Sequence, residues 1–201
     1  MNLEKIMKER PILMSVDNVK AILEGRKTQT RRVLKPQPRR HWDRFCLDIT
    51  WGFRVYTLQE LSLLCPYGQV GDKLWVRETW ATEHRLDTLT VSELGHASEI
   101  PLFYKADSPI QTILVIGKWR PSVFMPRWAS RITLEITAIR VERLQEITRN
   151  DIKAEGLGMP TLPNSHLPYL EFRDLWDSIN ALLGYGWETN PWVWVIVFVK
   201  C

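Results

Sequence analysis

The sequence predicts an α+β fold: a small mixed, mostly antiparallel sheet or barrel covered by three helices. Three observations carry that prediction. The strand-like segments are short and do not alternate with helices as βαβ units would. Ile132 to Thr137 alternates strictly apolar and polar, the period of a half-buried strand. Three other segments lie between helix start and stop signals, the last with apolar residues at helical spacing.

The elements follow in order. Pro11 to Met14 reads as a first strand. Ser15 or Asp17 caps a helix to Glu24, with Val16, Val19, Ile22 and Leu23 on one face and Gly25 just past its end. Thr28 to Val33 reads as a strand. From Lys35 to about Tyr67, prolines, basic residues and scattered aromatics break the pattern, so residues 35–67 read as an irregular insertion with a short helix near Leu58 to Leu64. Gly71-Asp72 is a turn before a strand at Lys73 to Glu78. His84 to Glu99 is polar and reads as loop, giving a second insertion at 84–100. Leu102 to Lys105 is a further short strand, and Pro121 to Pro126 a loop. The alternating strand continues to about Leu144, with a change of phase near Ala138-Ile139 that predicts a bulge. Thr148 caps a short helix through Glu155, stopped by Gly156 and Gly158. Pro168 opens the longest helix, with Phe172, Leu175, Trp176, Ile179, Leu182 and Leu183 on one face and Gly184 at its end. Trp192 to Val199 is almost wholly apolar, as a strand covered on both faces would be. The whole, 1–201, reads as one domain with those two insertions.

At 45% hydrophobic and 25% charged residues, the composition excludes extended disorder and a coiled coil. Cys46, Cys65 and Cys201 form no CxxC pair, and the four histidines are dispersed, so neither a disulfide framework nor a metal site is expected, and no cofactor. Met1 to Arg10 is charged and has no apolar core of a signal peptide, and the longest apolar run is too short to span a bilayer; the expectation is a cytoplasmic protein without membrane contact.

The net charge of +4 is unevenly placed. Arg26 to Arg44 holds eight basic residues and one acidic residue, so that window is +7 and the rest of the chain is slightly acidic. A local excess of this kind is the footprint of a nucleic-acid or phosphate partner. Within it, Gly25-Arg26-Lys27-Thr28-Gln29-Thr30-Arg31-Arg32 follows a helix and enters a strand. Thr28, Thr30 and Arg32 share one strand face; Gln29, Arg31 and Val33 share the other. Lys27, at the turn, is within reach of Thr30. Repulsion among four close cations, with partial burial, lowers a lysine pKa and makes it a general base, and a hydroxyl beside a neutral amine is a nucleophile. The plainer reading of the same residues is a basic, solvated turn.

The order of helix, GRKTQTRR, Val70 to Val76, long alternating strand and closing Trp192 to Lys200 strand resembles the ASCH domains of the PUA-like superfamily, most of all the larger phage and prophage proteins. Trp119-Arg120-Pro121-Ser122 and Met125 to Arg131 are similar to a signature of those proteins. The resemblance implies a small β-barrel with helices packed over a nucleoside or RNA cleft. It also implies the site of a small bacterial branch of amidohydrolases that remove the acetyl group of N4-acetylcytidine. On that pattern Lys27 is the base, Thr30 the nucleophile, and Glu155 the acid or positioning carboxylate. Many members of the family carry Glu where this chain has Thr30, and this chain is about twice the size of the small amidohydrolases. The expected substrate or nucleic-acid contacts are Arg26, Arg31, Arg32, Arg39, Arg40, Arg127, Trp128 and Arg131, with Trp128 the best placed to stack on a base. Trp75, Trp176, Trp192 and Trp194 read as core. The partner is then a modified nucleoside or RNA, and the alternatives to the amidohydrolase are a non-catalytic RNA-binding module and a single-strand ribonuclease.

Overall fold

The computed structural model describes residues 7–41, 44–49, 52–95, 100–107, 115–158 and 166–201; among residues 40–53 it describes backbone only. Ten strands and five helices occur among them. The strands are β1 (Glu9–Leu13), β2 (Gln29–Val33), β3 (Arg39–His41), β4 (Arg44–Ile49), β5 (Gly52–Tyr56), β6 (Lys73–Arg77), β7 (Trp80–Ala81), β8 (Phe103–Tyr104), β9 (Thr133–Arg143) and β10 (Trp192–Lys200). The helices are α1 (Val16–Leu23), α2 (Leu58–Ser62), α3 (Val91–Leu94), α4 (Arg149–Ala154) and α5 (Leu167–Asn180).

Five strands form the main sheet in the order β1-β6-β9-β10-β2, with β1 parallel to β6 and the other pairs antiparallel. The sheet is open among the described residues, with β1 and β2 at its edges. The expected barrel is therefore not closed. The expected irregular stretch at 35–67 instead carries a β3-β4-β5 meander before α2, and the second insertion carries α3. Prolines and dense charge hide such strands, because their pairing is local and not written in apolar alternation.

Turn chemistry fixes the ends of the elements. Ser15 caps α1 by accepting from the Asn18 amide, and Gly25, at φ +73°, follows its last turn. Asp72 is buried beside Gly71, accepts from the backbone amides of Lys8 and Gln69, and pairs with Arg10 at 3.1 Å. That one carboxylate ties the chain before β1 to the start of β6.

β10 is an interior strand between β9 and β2 and is covered on both faces, as its apolar run predicts. Trp192, Trp194, Ile196 and Phe198 enter the main core with Val19 and Ile22 of α1 and Leu134 and Ile136 of β9. Val193 and Val195 face the other way, against Ile152 of α4 and Phe172 and Trp176 of α5. The phase change in β9 is a bulge. Val197 lies opposite Ala138 and Phe198 opposite Ile136, so Thr137 is the additional residue. Leu134 and Ile136 are core before it, and Val141 is core after it. The intervening partners Arg140 and Glu142 consequently lie on the Val195 and Val193 side.

The long helix departs from its expected role. Phe172 and Trp176 are buried, but Leu175, Ile179, Leu182 and Leu183 are exposed. A helical period records which residues share a face, not whether anything packs on all of it. A third, smaller core gathers Trp80, Leu94, Met125 and Ala129 away from the main sheet.

Candidate active site

Two segments distant in sequence meet at the β2 edge of the sheet. The turn after α1 enters β2 through Lys27, and the last turn of α4 ends on Glu155; the two residues form an antiparallel backbone bridge. The Thr28 amide donates to the Ala154 carbonyl at 2.9 Å, and the Phe198 amide donates to the Thr28 carbonyl at 2.9 Å. Helix α4 is set by a capping box in which Thr148 and Asp151 satisfy each other's amides. Gly156 follows at φ +91°, and a Cβ there would lie 2.8 Å from the Ala21 Cβ and 3.0 Å from the Lys27 Cβ. Only glycine lets α4 approach the turn this closely.

Lys27 and Glu155 are both buried. The Lys27 amine donates to Glu155 Oε2 at 2.7 Å and to the Glu155 carbonyl at 2.8 Å. Both of these bonds go to Glu155, whereas the sequence reading turned the amine toward Thr30. Burial pushes the Lys27 pKa below the usual lysine value; the Glu155 carboxylate works against that shift, and Arg32 and Arg31 add to it. The direction is the one expected of a general base, but its main cause is desolvation, with repulsion among cations a smaller contribution.

Arg31 is as buried as Lys27 and turns inward. It donates through Nη1 to Glu155 Oε1 at 3.1 Å and through Nη2 to Glu142 Oε1 at 2.5 Å, and lies 3.5 Å from Asp151 Oδ2. Arg140 spans Glu142 Oε2 at 2.7 Å and Asp151 Oδ1 at 2.6 Å. Gln29 donates to the same Asp151 oxygen at 3.1 Å. Three cations and three carboxylates thus interlock. Burial alone would raise the Asp151 pKa, but its bonds from Thr148 and Gln29 and the charge of Arg31 hold it well below the usual carboxylate range.

A cavity of about 80 Å³ lies against this cluster. It is lined by Lys27, Thr30, Arg31, Arg32 and Glu155, together with Phe172, Leu175, Trp176 and Ile179 of α5. Lys27, Thr30 and Glu155 therefore line one cavity, although the β2 register turns Thr30, opposite Ile196, to the main-core face and Arg31, opposite Val195, to the α5 face. Arg32 donates to the Leu13 carbonyl at 2.5 Å, and its Nε is buried without a hydrogen-bond partner. A second cleft of about 590 Å³ opens beside the same turn, lined by Arg26, Thr28, Asn150 and Lys153 among others.

The remaining expected contacts divide. Arg26 is exposed at the turn, paired with Glu24 and donating to the Gly156 carbonyl. Arg39 is exposed on β3, and the side chain of Arg40 lies outside the described residues, as does Trp42. Arg127, Trp128 and Arg131 are not at this cavity. They sit by the third core and β6, toward the opposite edge of the sheet. Arg127 pairs with Glu9 at 3.0 Å. Trp128 is 42% exposed and packs edge-on against the buried Trp80 at 5.7 Å. Arg131 binds Glu78 at 2.9 and 3.0 Å, pairs with Asp107, and covers the Tyr104 ring at 3.9 Å. Trp75, Trp176, Trp192 and Trp194 are buried, as expected of core.

Sequence reading missed Gln29, Arg140, Glu142 and Asp151 as part of the site. The Thr148-x-x-Asp151 box and the parity of β9 after its bulge were the signals that place them. Among the described residues no group of histidine, cysteine and carboxylate side chains is arranged to hold a metal ion, and no helix is long and apolar enough to cross a membrane.

No protein-family model and no curated protein matches the chain. Among solved structures, the chain is similar to an ASCH domain. That domain is from Lactobacillus crispatus JV V101; the TM-score is 0.43 at 14% identity, covering 96% of this chain and 79% of that one. A likeness of this degree carries no inference about residues, chemistry or partners.

Proposed function

We propose that the chain is an ASCH-type hydrolase of a linear amide on a modified nucleoside of the N4-acetylcytidine kind. The observation that carries the reading is that Lys27, Thr30 and Glu155 line one cavity, where the Lys27 ammonium is disfavoured by burial.

In the reaction, the neutral Lys27 amine takes the Thr30 hydroxyl proton as the Thr30 oxygen bonds to the acyl carbon. The carbonyl electron pair moves onto its oxygen. Of the two arginines that line the cavity, Arg31 is engaged by carboxylates, whereas Arg32 has no ion pair among the described residues, so Arg32 is the cation assigned to that oxyanion in this reading. The carbon–nitrogen bond then breaks, and the leaving nitrogen receives the proton from the Lys27 ammonium. Water, deprotonated by the same amine, cleaves the threonyl ester and releases the carboxylic acid. Glu155 holds the amine in place and stabilises the ammonium that forms at each half-reaction, the role of the carboxylate in a Ser-His-Asp triad.

Ligand cavities usually measure about 300–1,000 Å³. At about 80 Å³ this one takes the acylamide end of the substrate, with the nucleoside ring at the rim beside Leu175 and Ile179. The test is incubation with N4-acetylcytidine, following cytidine and acetate. Product with the native chain, and loss of it in Lys27→Ala and Thr30→Ala, supports the reading. Absence of product, or full activity in Lys27→Ala, ends it.

A further inference from the structure

The basic residue next to the nucleophile has no free charge to offer a substrate. We propose that Arg31 is the positioning residue of this site, a buried fork that fixes the Glu155 carboxylate so that its other oxygen faces the Lys27 amine. The proposal rests on the hydrolase reading for its kinetic consequence, but not for its geometry.

Three features support it. First, the two oxygens of Glu155 are divided, Oε1 to Arg31 at 3.1 Å and Oε2 to Lys27 at 2.7 Å. A carboxylate held at both oxygens cannot rotate away from the amine. Second, Arg31 is itself immobilised. Its Nη2 is on Glu142 and near Asp151, and those two acids are clasped from behind by Arg140, with Gln29 on Asp151. The Arg31 guanidinium also lies 5.9 Å from the Phe172 ring centre of α5. Third, the fork needs a planar guanidinium. One group reaches Glu155 and Glu142 through two different nitrogens, which a point-charge ammonium cannot do.

The charges facing Lys27 are Arg31 and Arg32 from β2, Glu155 from the end of α4, and Asp151, Glu142 and Arg140 behind Arg31; α5 lines the cavity with no titratable group. Loss of Arg31 removes a neighbouring cation and releases Glu155 wholly to Lys27. Both changes favour the ammonium, so the Lys27 midpoint rises and less neutral base is present at a given pH.

The experiment is a side-chain NMR titration of the lysines in the intact chain, with the Lys27 signal assigned by its absence in Lys27→Arg, run on the native chain, Arg31→Gln and Arg31→Lys, beside unfolding temperature. The expected result is an upward shift of the Lys27 midpoint in Arg31→Gln, with Arg31→Lys closer to native. In the hydrolysis assay kcat falls on the order of 10²-fold in Arg31→Gln with a smaller change in KM. A lowered unfolding temperature with an unmoved Lys27 midpoint assigns Arg31 a purely structural role and overturns the proposal. If Arg31→Gln does not fold, Arg31→Lys decides, because it keeps the charge and loses the fork: native kcat in that variant overturns the proposal, and reduced kcat at native KM supports it. If the native chain hydrolyses no amide, the hydrolase reading fails, and the titration still decides whether Arg31 sets Lys27.

Discussion

The side chain of Lys27 reaches Glu155 at two points, its carboxylate and its own backbone carbonyl, 2.7 and 2.8 Å from one buried amine. The charge pair and the strand-to-helix junction are therefore one feature, and disturbing either disturbs both.

Stability provides the first test. Removing one partner of a buried ion pair leaves the other charge uncompensated and costs about 3–5 kcal/mol. Glu155→Gln removes the carboxylate partner of Lys27, while Glu142 and Asp151 still hold Arg31, so its cost falls toward the lower end of that range, and the double variant Lys27→Met/Glu155→Gln costs less than the two single changes together. Urea unfolding of the four proteins of that cycle is the measurement.

The pH dependence has a definite sign. The folded-state pKa of Lys27 lies below its unfolded value, so between the two the unfolded chain holds a proton that the folded chain lacks. Stability accordingly rises with pH across that window and is reduced below it. Lys27→Met flattens the rise. In Glu155→Gln, the anion that favours the ammonium is gone while burial persists, so the Lys27 midpoint moves lower, the opposite of the shift expected for Arg31→Gln. NMR titration of the two variants reads both directions.

Gly156 and Gly184 separate backbone strain from close approach. Both have positive φ, +91° and +83°, but a Cβ at Gly184 meets nothing within 4 Å, whereas one at Gly156 strikes Ala21 and Lys27. Gly184→Ala costs about 1–2 kcal/mol in unfolding free energy and leaves the site intact. Gly156→Ala costs more and also reduces activity, since α4 must withdraw from Lys27. Unfolding free energy and N4-acetylcytidine turnover, measured together, distinguish the two.

At the far edge of the sheet, burial raises the pKa of Glu78, and its Arg131 partner opposes that rise. Arg131→Ala leaves the carboxylate buried alone. Its destabilisation is larger at pH 8 than at pH 4.5, because the raised pKa leaves more of the lone buried carboxyl neutral at the lower pH. Thermal unfolding at the two pH values checks this. Equal losses would mean that Glu78 does not carry the charge that Arg131 compensates.

The parts of the molecule legible in the sequence are those whose partners are near or repetitive. Ser15 and Thr148 announce their helices within three residues, and the parity change of β9 predicts its bulge to within a residue or two. Arg31 was not legible in the same way. A run of basic residues looks solvated until its acids are found, and those acids, Glu142 and Glu155, stand 111 and 124 positions away. The stripe of α5 misled for a different reason: Leu175 and Ile179 share a face with the core residues Phe172 and Trp176, but stand at the margin of the sheet they cover.

The extra residue at Thr137 couples the length of the chain to its chemistry. Deleting it restores an unbroken two-residue period through β9, which sends Arg140 and Glu142 toward the hydrocarbon side and Val141 toward the charge cluster. Insertions can accumulate in the meander at 39–56 without touching that arithmetic. Between Ile136 and Ile139 the count itself is under constraint, so a single-codon deletion there is more damaging than the loss of a whole surface loop.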